Sequence, residues 1–242
     1  MFDAKQEIEN ITAWIRDWFA ENGPEANAVL GISGGKDSTI IAALLAKALG
    51  PDRVYGVLMP NGGQPDIADS YKVVELLHIP HITVNIHDAY TGLIKQLPAP
   101  VSEDTMINIP PRLRMTTLYA IAQSLPNGGR VVNTCNKSED YIGYFSKHGD
   151  GAADFAPCAE YTVTEMLQIG DALGLPKDLV HKTPSDGLCG HNDEDKLGFT
   201  YAELDEYITT GAISDKDKQA KMAKLHKINL HKLRPMPKYE RS

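Results

Sequence analysis

The chain has 242 residues, 42% of them hydrophobic, and Asp plus Glu outnumber Lys plus Arg 32 to 24, for a formal net charge of −8. That length and apolar content suffice for one sizeable core, so a single domain over 1–242 is expected. The acidic balance argues against a broad polyanion-binding surface and makes nucleic acid a poor partner. No apolar run approaches the roughly 18 residues of a membrane span, and MFDAKQEIEN lacks the blocks of a signal peptide, so the expectation is a cytoplasmic chain with no membrane partner. Cys135, Cys158 and Cys189 are widely spaced, with no CxxC pair to hold zinc or close a redox motif. They read as reduced packing residues.

Over Asp3 to Glu21, Ile8, Ile11, Trp14, Ile15, Trp18 and Phe19 recur at three- and four-residue steps, the stripe of an amphipathic helix that Gly23-Pro24 ends. This gives an N-terminal helical segment, 1–23. Ala28 to Ile32 then reads as a strand leading through Gly34-Gly35 into a helix, Ser38 to Leu49, stopped by Gly50-Pro51. Arg53 to Met59 and His81 to Ile86 read as further buried strands, with a helix at Ile67 to Leu77 between them. Beyond Pro98-Ala99-Pro100, Arg112 to Ser124 has helical spacing, and the Asn127-Gly128-Gly129 turn delivers a strand at Arg130 to Asn133. The alternation predicts an α/β fold: a Rossmann-like, doubly wound parallel sheet flanked by helices. Further on come a helix from Thr164 to Leu173 and helical stretches at Tyr201 to Thr209 and Asp215 to Lys227. Pro184 to Gly198, polar and glycine-punctuated, is long for a passive connection and reads as a lid. Residues 228–242 read as a basic C-terminal tail.

Chemistry concentrates first in Ser33-Gly34-Gly35-Lys36-Asp37-Ser38, between the first strand and its helix. An open α/β sheet presents its ligand crevice there. Glycines let main chain approach a phosphate, and free N–H groups at a helix start favour an anion. Ser33 and Ser38 add hydroxyls, Lys36 adds charge, and Asp37 suits magnesium bridging phosphate oxygens. A capped Gly-Gly turn needs no ligand, but the full string in a strand-to-helix setting favours nucleotide binding. It matches neither GxxxxGK[ST] nor GxGxxG, so a Walker-type kinase and an NAD-dependent dehydrogenase lose their main support.

SGGKDS resembles the signature of the N-type ATP pyrophosphatases, which split ATP between the α and β phosphates and transfer AMP to a substrate oxygen. Within that superfamily, the segment from Asn108 to Met115 is similar to the NIxxRxRM segment of NAD synthetases. Thr134 to Glu139 and Gly143 to Asp154 resemble the family's TxNKSE and GYFTKYGDGxxD runs, and the segments 184–188 and 193–201 its lid and following helix. The resemblance runs in order from Gly31 to Pro237 and points to the ammonia-dependent NAD synthetases. It implies that Gly31, Ile32, Ser33, Gly34, Gly35, Lys36, Asp37, Ser38, Thr134 and Ser185 bind ATP, and that Asp37 and Glu139 hold Mg2+. Arg112, Lys147, Asp154, His231 and Lys232 fall where the family binds nicotinic acid adenine dinucleotide, deamido-NAD. The implied activity is amidation of deamido-NAD to NAD by ammonia through an acyl adenylate, usually by a homodimer.

Outside the motifs, Arg112, Lys147, His231 and Lys232 would read as solvated surface charges, and Glu139 as a first-turn carboxylate facing the helix dipole. The chain departs from the family at Val163, where a lysine that contacts ATP phosphate is usual; Lys36 and Lys182 are the candidates for that role. No cysteine has a recognisable nucleophile setting, and the segment before Gly31 reads as one helix and a turn, too little for a glutaminase. Free ammonia is therefore the expected nitrogen source. The competing readings are a tRNA-modifying ligase on the same loop, disfavoured by the acidic charge, and a non-catalytic ATP sensor.

Overall fold

Asp3 caps the first helix, α1 (Ala4–Asn22), accepting from the main-chain N–H groups of Lys5 and Gln6. The protein is described from a computed structural model covering residues 2–64, 67–182 and 193–241. After α1 the order is β1 (Asn27–Gly31), α2 (Lys36–Leu49), β2 (Val54–Leu58), α3 (Ile67–Leu77), β3 (His81–Thr83), α4 (His87–Gln96), α5 (Glu103–Ser124) and β4 (Gly129–Val131). Then follow α6 (Lys137–Ile142), α7 (Val163–Ala172), α8 (Lys177–Val180), α9 (Asp193–Leu197), α10 (Tyr201–Thr210) and α11 (Lys216–Leu233).

The four strands are parallel in the order β3-β2-β1-β4. Alternate side chains of β1 feed opposite cores. Ala28, Leu30 and Ile32 meet Ile15 and Phe19 of α1, Ile40 and Leu44 of α2 and Met166 and Ile169 of α7. Val29 and Val131 meet Met115, Leu118 and Ala122 of α5 on the other face. Covering both faces is what allows β1 to be apolar along its length, and each fully buried Leu or Ile contributes about 1.5–3 kcal/mol. A third apolar cluster joins Ile142, Val163, Leu197, Tyr201, Leu204 and Met222 of the C-terminal helices. Asp205, itself buried, ties that cluster together: it accepts from the Ser138 hydroxyl and from the main-chain N and hydroxyl of Thr164 at 2.8 and 2.6 Å. These bonds fix α6, whose acidic residue matters below.

Three expectations need correction. The His81 strand ends at Thr83 and lies exposed at the sheet edge, where a single neighbouring strand leaves one side to solvent. The helix expected from Arg112 begins at Glu103, because Ser102 caps it through Thr105 N and the chain stays helical across Pro110 and Pro111. Neither proline can donate to the carbonyl four residues back, which is why the pair reads as a stop in sequence. Residues 228–233 continue α11 rather than opening a tail. The apolar stripe of α1 packs into the core apart from Trp14, which stays 45% exposed, and Trp18 stacks on Phe155 with ring centroids 4.3 Å apart.

Candidate active site

In the order β3-β2-β1-β4 the chain leaves β1 toward β2 on one side and arrives at β4 on the other, so the crevice opens between the C-terminal ends of β1 and β4. A cavity of about 660 Å³ occupies that crevice, walled by Gly31 to Ser33 and Gly35 to Ser38 after β1 and by Val132, Thr134 and Cys135 after β4. Gly34 completes the turn at φ 76; a Cβ there would meet Asp69 Cβ at 2.8 Å and Ser70 N at 2.9 Å. Only glycine fits that position without strain.

The loop is tied to itself. Gly35 N donates to Ser33 Oγ at 3.2 Å, Ser33 N donates to Ser38 Oγ at 3.3 Å, and the two hydroxyls lie 3.1 Å apart. Gly35 caps α2 with no side-chain hydrogen bond, and the loop's serines accept from Gly35 N and Ser33 N, so the first-turn N–H groups of Lys36, Asp37 and Ser38 have no acceptor among the described residues. Lys36 is 6% exposed and its Nζ sits 2.8 Å from Asp37 Oδ2. Burial alone would lower its pKa, but the charges of Asp37, Glu139 and Asp193 outweigh that and hold the ammonium above its ordinary value.

Across the cavity, α6 starts at Asn136, which is fully buried. Its Oδ1 accepts from Glu139 N at 3.1 Å and its Nδ2 donates to Asp37 Oδ1 at 3.2 Å, so one amide aligns both carboxylate-bearing elements. The sequence reading passed over Asn136; an Asn three residues before Glu at a helix start was the available signal. Burial, followed by the charge of Asp37, pushes the Glu139 carboxyl well above the usual range. Two oxygen donors that repel one another fit a hard divalent cation, which would take both and complete its shell from phosphate and water. Asp37 and Glu139 would hold it. Asp193 and Asp150, also unforeseen, stand on the same cavity wall, and Asp193 accepts from the Tyr144 hydroxyl at 3.2 Å.

The proposed substrate residues divide. Lys232 lines the cavity, donating to the carbonyls of Gly143 and Phe145 at 2.7 and 3.0 Å. Lys147 donates to His231 O at 2.7 Å, and Arg112 Nε donates to Lys147 O at 3.2 Å, so Arg112, Lys147 and the end of α11 that carries His231 and Lys232 are linked through main chain at one rim. Arg112, Lys147 and His231 are not cavity walls, whereas Arg114 is. Asp154 is also off the wall: it accepts from Val131 N at 2.7 Å and from the Tyr119 hydroxyl at 3.2 Å. Lys182 reaches the cavity and pairs with Asp69 at 2.6 Å. Ser185, Cys189 and most of the expected lid lie outside the described residues; its last part, Asp193–Leu197, is α9.

A parallel sheet with a self-bonded anion loop at its switch point, two carboxylates and a buried lysine defines a nucleotide-activating α/β protein. The family model for NAD synthase matches residues 7–240, and the chain belongs to that family. It is 39% identical over 212 residues to the NH(3)-dependent NAD(+) synthetase of Carboxydothermus hydrogenoformans, covering 84% of this chain and 86% of the relative. It is 35% identical to that of Alkaliphilus metalliredigens over 95% and 96% of the two chains. The structure of NMN synthetase from Francisella tularensis superposes with a TM-score of 0.90 at 32% identity, over 99% of each chain.

Proposed function

We propose that the protein is a ligase that amidates deamido-NAD with ammonia at the expense of ATP, yielding NAD, AMP and pyrophosphate. The observation that carries this reading is the meeting of the Ser33–Ser38 loop, which carries Asp37, with Asn136 and Glu139 at the switch point of the sheet. A carboxylate cannot expel oxide at neutral pH, so it must first become a mixed anhydride. In this reading the loop, with Thr134 and Ser185, holds ATP while the nicotinate carboxylate attacks the α phosphorus and pyrophosphate leaves. Magnesium at Asp37 and Glu139 would neutralise charge developing on the leaving group. Ammonia then attacks the acyl carbon and AMP departs. Arg112, Lys147, His231 and Lys232 suit the dinucleotide's pyrophosphate and carboxylate. Asp154, with both oxygens already accepting, holds the end of β4 against α5 and shapes that side of the substrate site.

No nucleophilic cysteine is needed. Cys135 and Cys158 are buried, and burial pushes both thiols up, the opposite of what an amidase nucleophile requires. A second reading, favoured by the fit to the NMN synthetase structure over both whole chains, keeps the chemistry but takes the mononucleotide as acceptor. Phosphorus NMR with ATP, magnesium, ammonium and each acceptor in turn tests both. AMP and pyrophosphate with deamido-NAD are expected, and faster turnover of nicotinate mononucleotide would select the second reading. ADP and phosphate would overturn the adenylation chemistry, and no turnover of ATP would identify a nucleotide sensor.

None of the described helices is long and apolar enough to cross a membrane, and a cytoplasmic homodimer suits the reading. Leu93, Met106 and Ile107, exposed apolar residues on the packed pair α4 and α5, support that pair as the subunit contact. Sedimentation of wild type and Met106→Asp tests it: a dimer that the substitution splits is expected, and a wild-type monomer would refute it.

A further inference from the structure

Lys36 is unusual in its place. An ammonium carries three donors, and among the described residues the hydrogen bonds of Lys36 Nζ account for one, to Asp37 Oδ2 at 2.8 Å. The Tyr201 ring, 5.6 Å away, offers it a π face, and Glu139 and Asp193 act on it through their charge. The Tyr201 hydroxyl is itself buried and has no partner among the described residues. A buried ammonium with spare donors, on the wall of an anion cradle, is set to receive an anion. It also occupies Asp37, the carboxylate best placed for a divalent cation. Val163 is buried in the same apolar cluster as Tyr201 and is not one of the cavity's lining residues.

We propose that Lys36 changes partners when the nucleotide binds: the divalent cation takes Asp37, and the freed ammonium carries its spare donors to an oxygen of the leaving pyrophosphate. This rests on the ATP reading of the loop. One flexible stem of four carbons allows the swing without moving α2, since Nζ needs only to leave Asp37 for the cavity that it already borders. Lys36 thus does two jobs: it holds the carboxylate pair together before the metal arrives and supplies the phosphate contact that position 163 does not. Lys182, the other candidate, is held by Asp69 at 2.6 Å.

The test is calorimetric titration of wild type, Lys36→Met and Lys36→Arg with Mg2+ alone and with inorganic pyrophosphate plus Mg2+. Losing a competitor for Asp37 should tighten Mg2+ binding in Lys36→Met, while losing a charge-assisted contact should weaken pyrophosphate about ten- to a hundredfold. Lys36→Arg should retain most of the pyrophosphate affinity. A fall in both affinities would reduce Lys36 to packing, and unchanged pyrophosphate binding would remove the proposal. Failure of wild type to bind magnesium pyrophosphate would instead reject the ATP reading itself. Should Lys36→Met not fold, acylation of wild-type lysines read by peptide mass spectrometry serves in its place. Modification of Lys36 should rise with Mg2+ alone and fall when pyrophosphate is added; a rate indifferent to both would overturn the exchange.

Discussion

The floor of the cleft and its substrate rim are built by different means. At the floor, Gly34 to Ser38, Asn136 and Glu139 are buried or half-buried and, together with the exposed Ser33, bonded to one another by side chains, so each group's position depends on its neighbours. At the rim, Arg112 and Lys147 are exposed or half-buried and are held through single bonds to main-chain carbonyls. The first arrangement fixes charge where a bond must break, and the second leaves long cations free to follow a substrate. Damage at the floor should therefore cost turnover, and damage at the rim should cost affinity.

The largest effect is expected from Asp37→Asn, which keeps the shape that meets Asn136 but removes the metal-binding charge. Pyrophosphate release should fall by about a hundred- to a thousandfold, by analogy with losing one charge-stabilising group at a reacting centre. Wild-type rates in a folded variant would dissolve the distinction between floor and rim. Alanine is the worse probe, because Asp37 is the partner of buried Lys36 and truncation would leave that ammonium without its carboxylate.

Gly34→Ala comes next. At φ 76, with Asp69 Cβ 2.8 Å from the added carbon, the substitution should destabilise the protein by about 1–3 kcal/mol and lower activity together. Thermal melts and pyrophosphate release read both, and an unchanged melting temperature would mean that the loop relaxes freely. At the rim, Lys147→Ala should raise KM for deamido-NAD about tenfold, the loss of one charged contact, with kcat nearly constant. A matching fall in kcat would move Lys147 to the floor. The smallest effect is none at all: iodoacetamide at pH 8 should leave Cys135 and Cys158 unmodified in the native protein, because both thiols are held far above that pH. Labelling of either, seen in its tryptic peptide, would reopen glutamine as a nitrogen source.

Much of this was legible before any coordinates, for reasons that differ between the two regions. The floor loop is contiguous, and its glycines and flanking apolar runs announce strand, turn and helix together. The rim is assembled from positions 112, 147, 231 and 232, which only a resemblance could join. Patterns mislead where two physical rules conflict: Pro110-Pro111 masks the first turns of α5, and α11 runs into what composition marks as tail because Lys232 still finds the carbonyls of Gly143 and Phe145. Asn136 escaped because its helix, α6, is only six residues long and has no apolar period to flag its start. Burial of Lys36 has no sequence signal; a lysine beside two glycines reads as solvated until α6 and α10 close over it.

One chemical event is central to the proposed reaction, transfer of AMP to the nicotinate carboxylate on the Asp37 and Glu139 side of the crevice. Deamido-NAD labelled with 18O in that carboxylate tests it directly in a single turnover with ATP and ammonium. Attack on the α phosphorus followed by loss of AMP predicts one 18O in AMP and none in pyrophosphate, with the other retained in the amide. Label in inorganic phosphate, or AMP free of label while NAD forms, would contradict it.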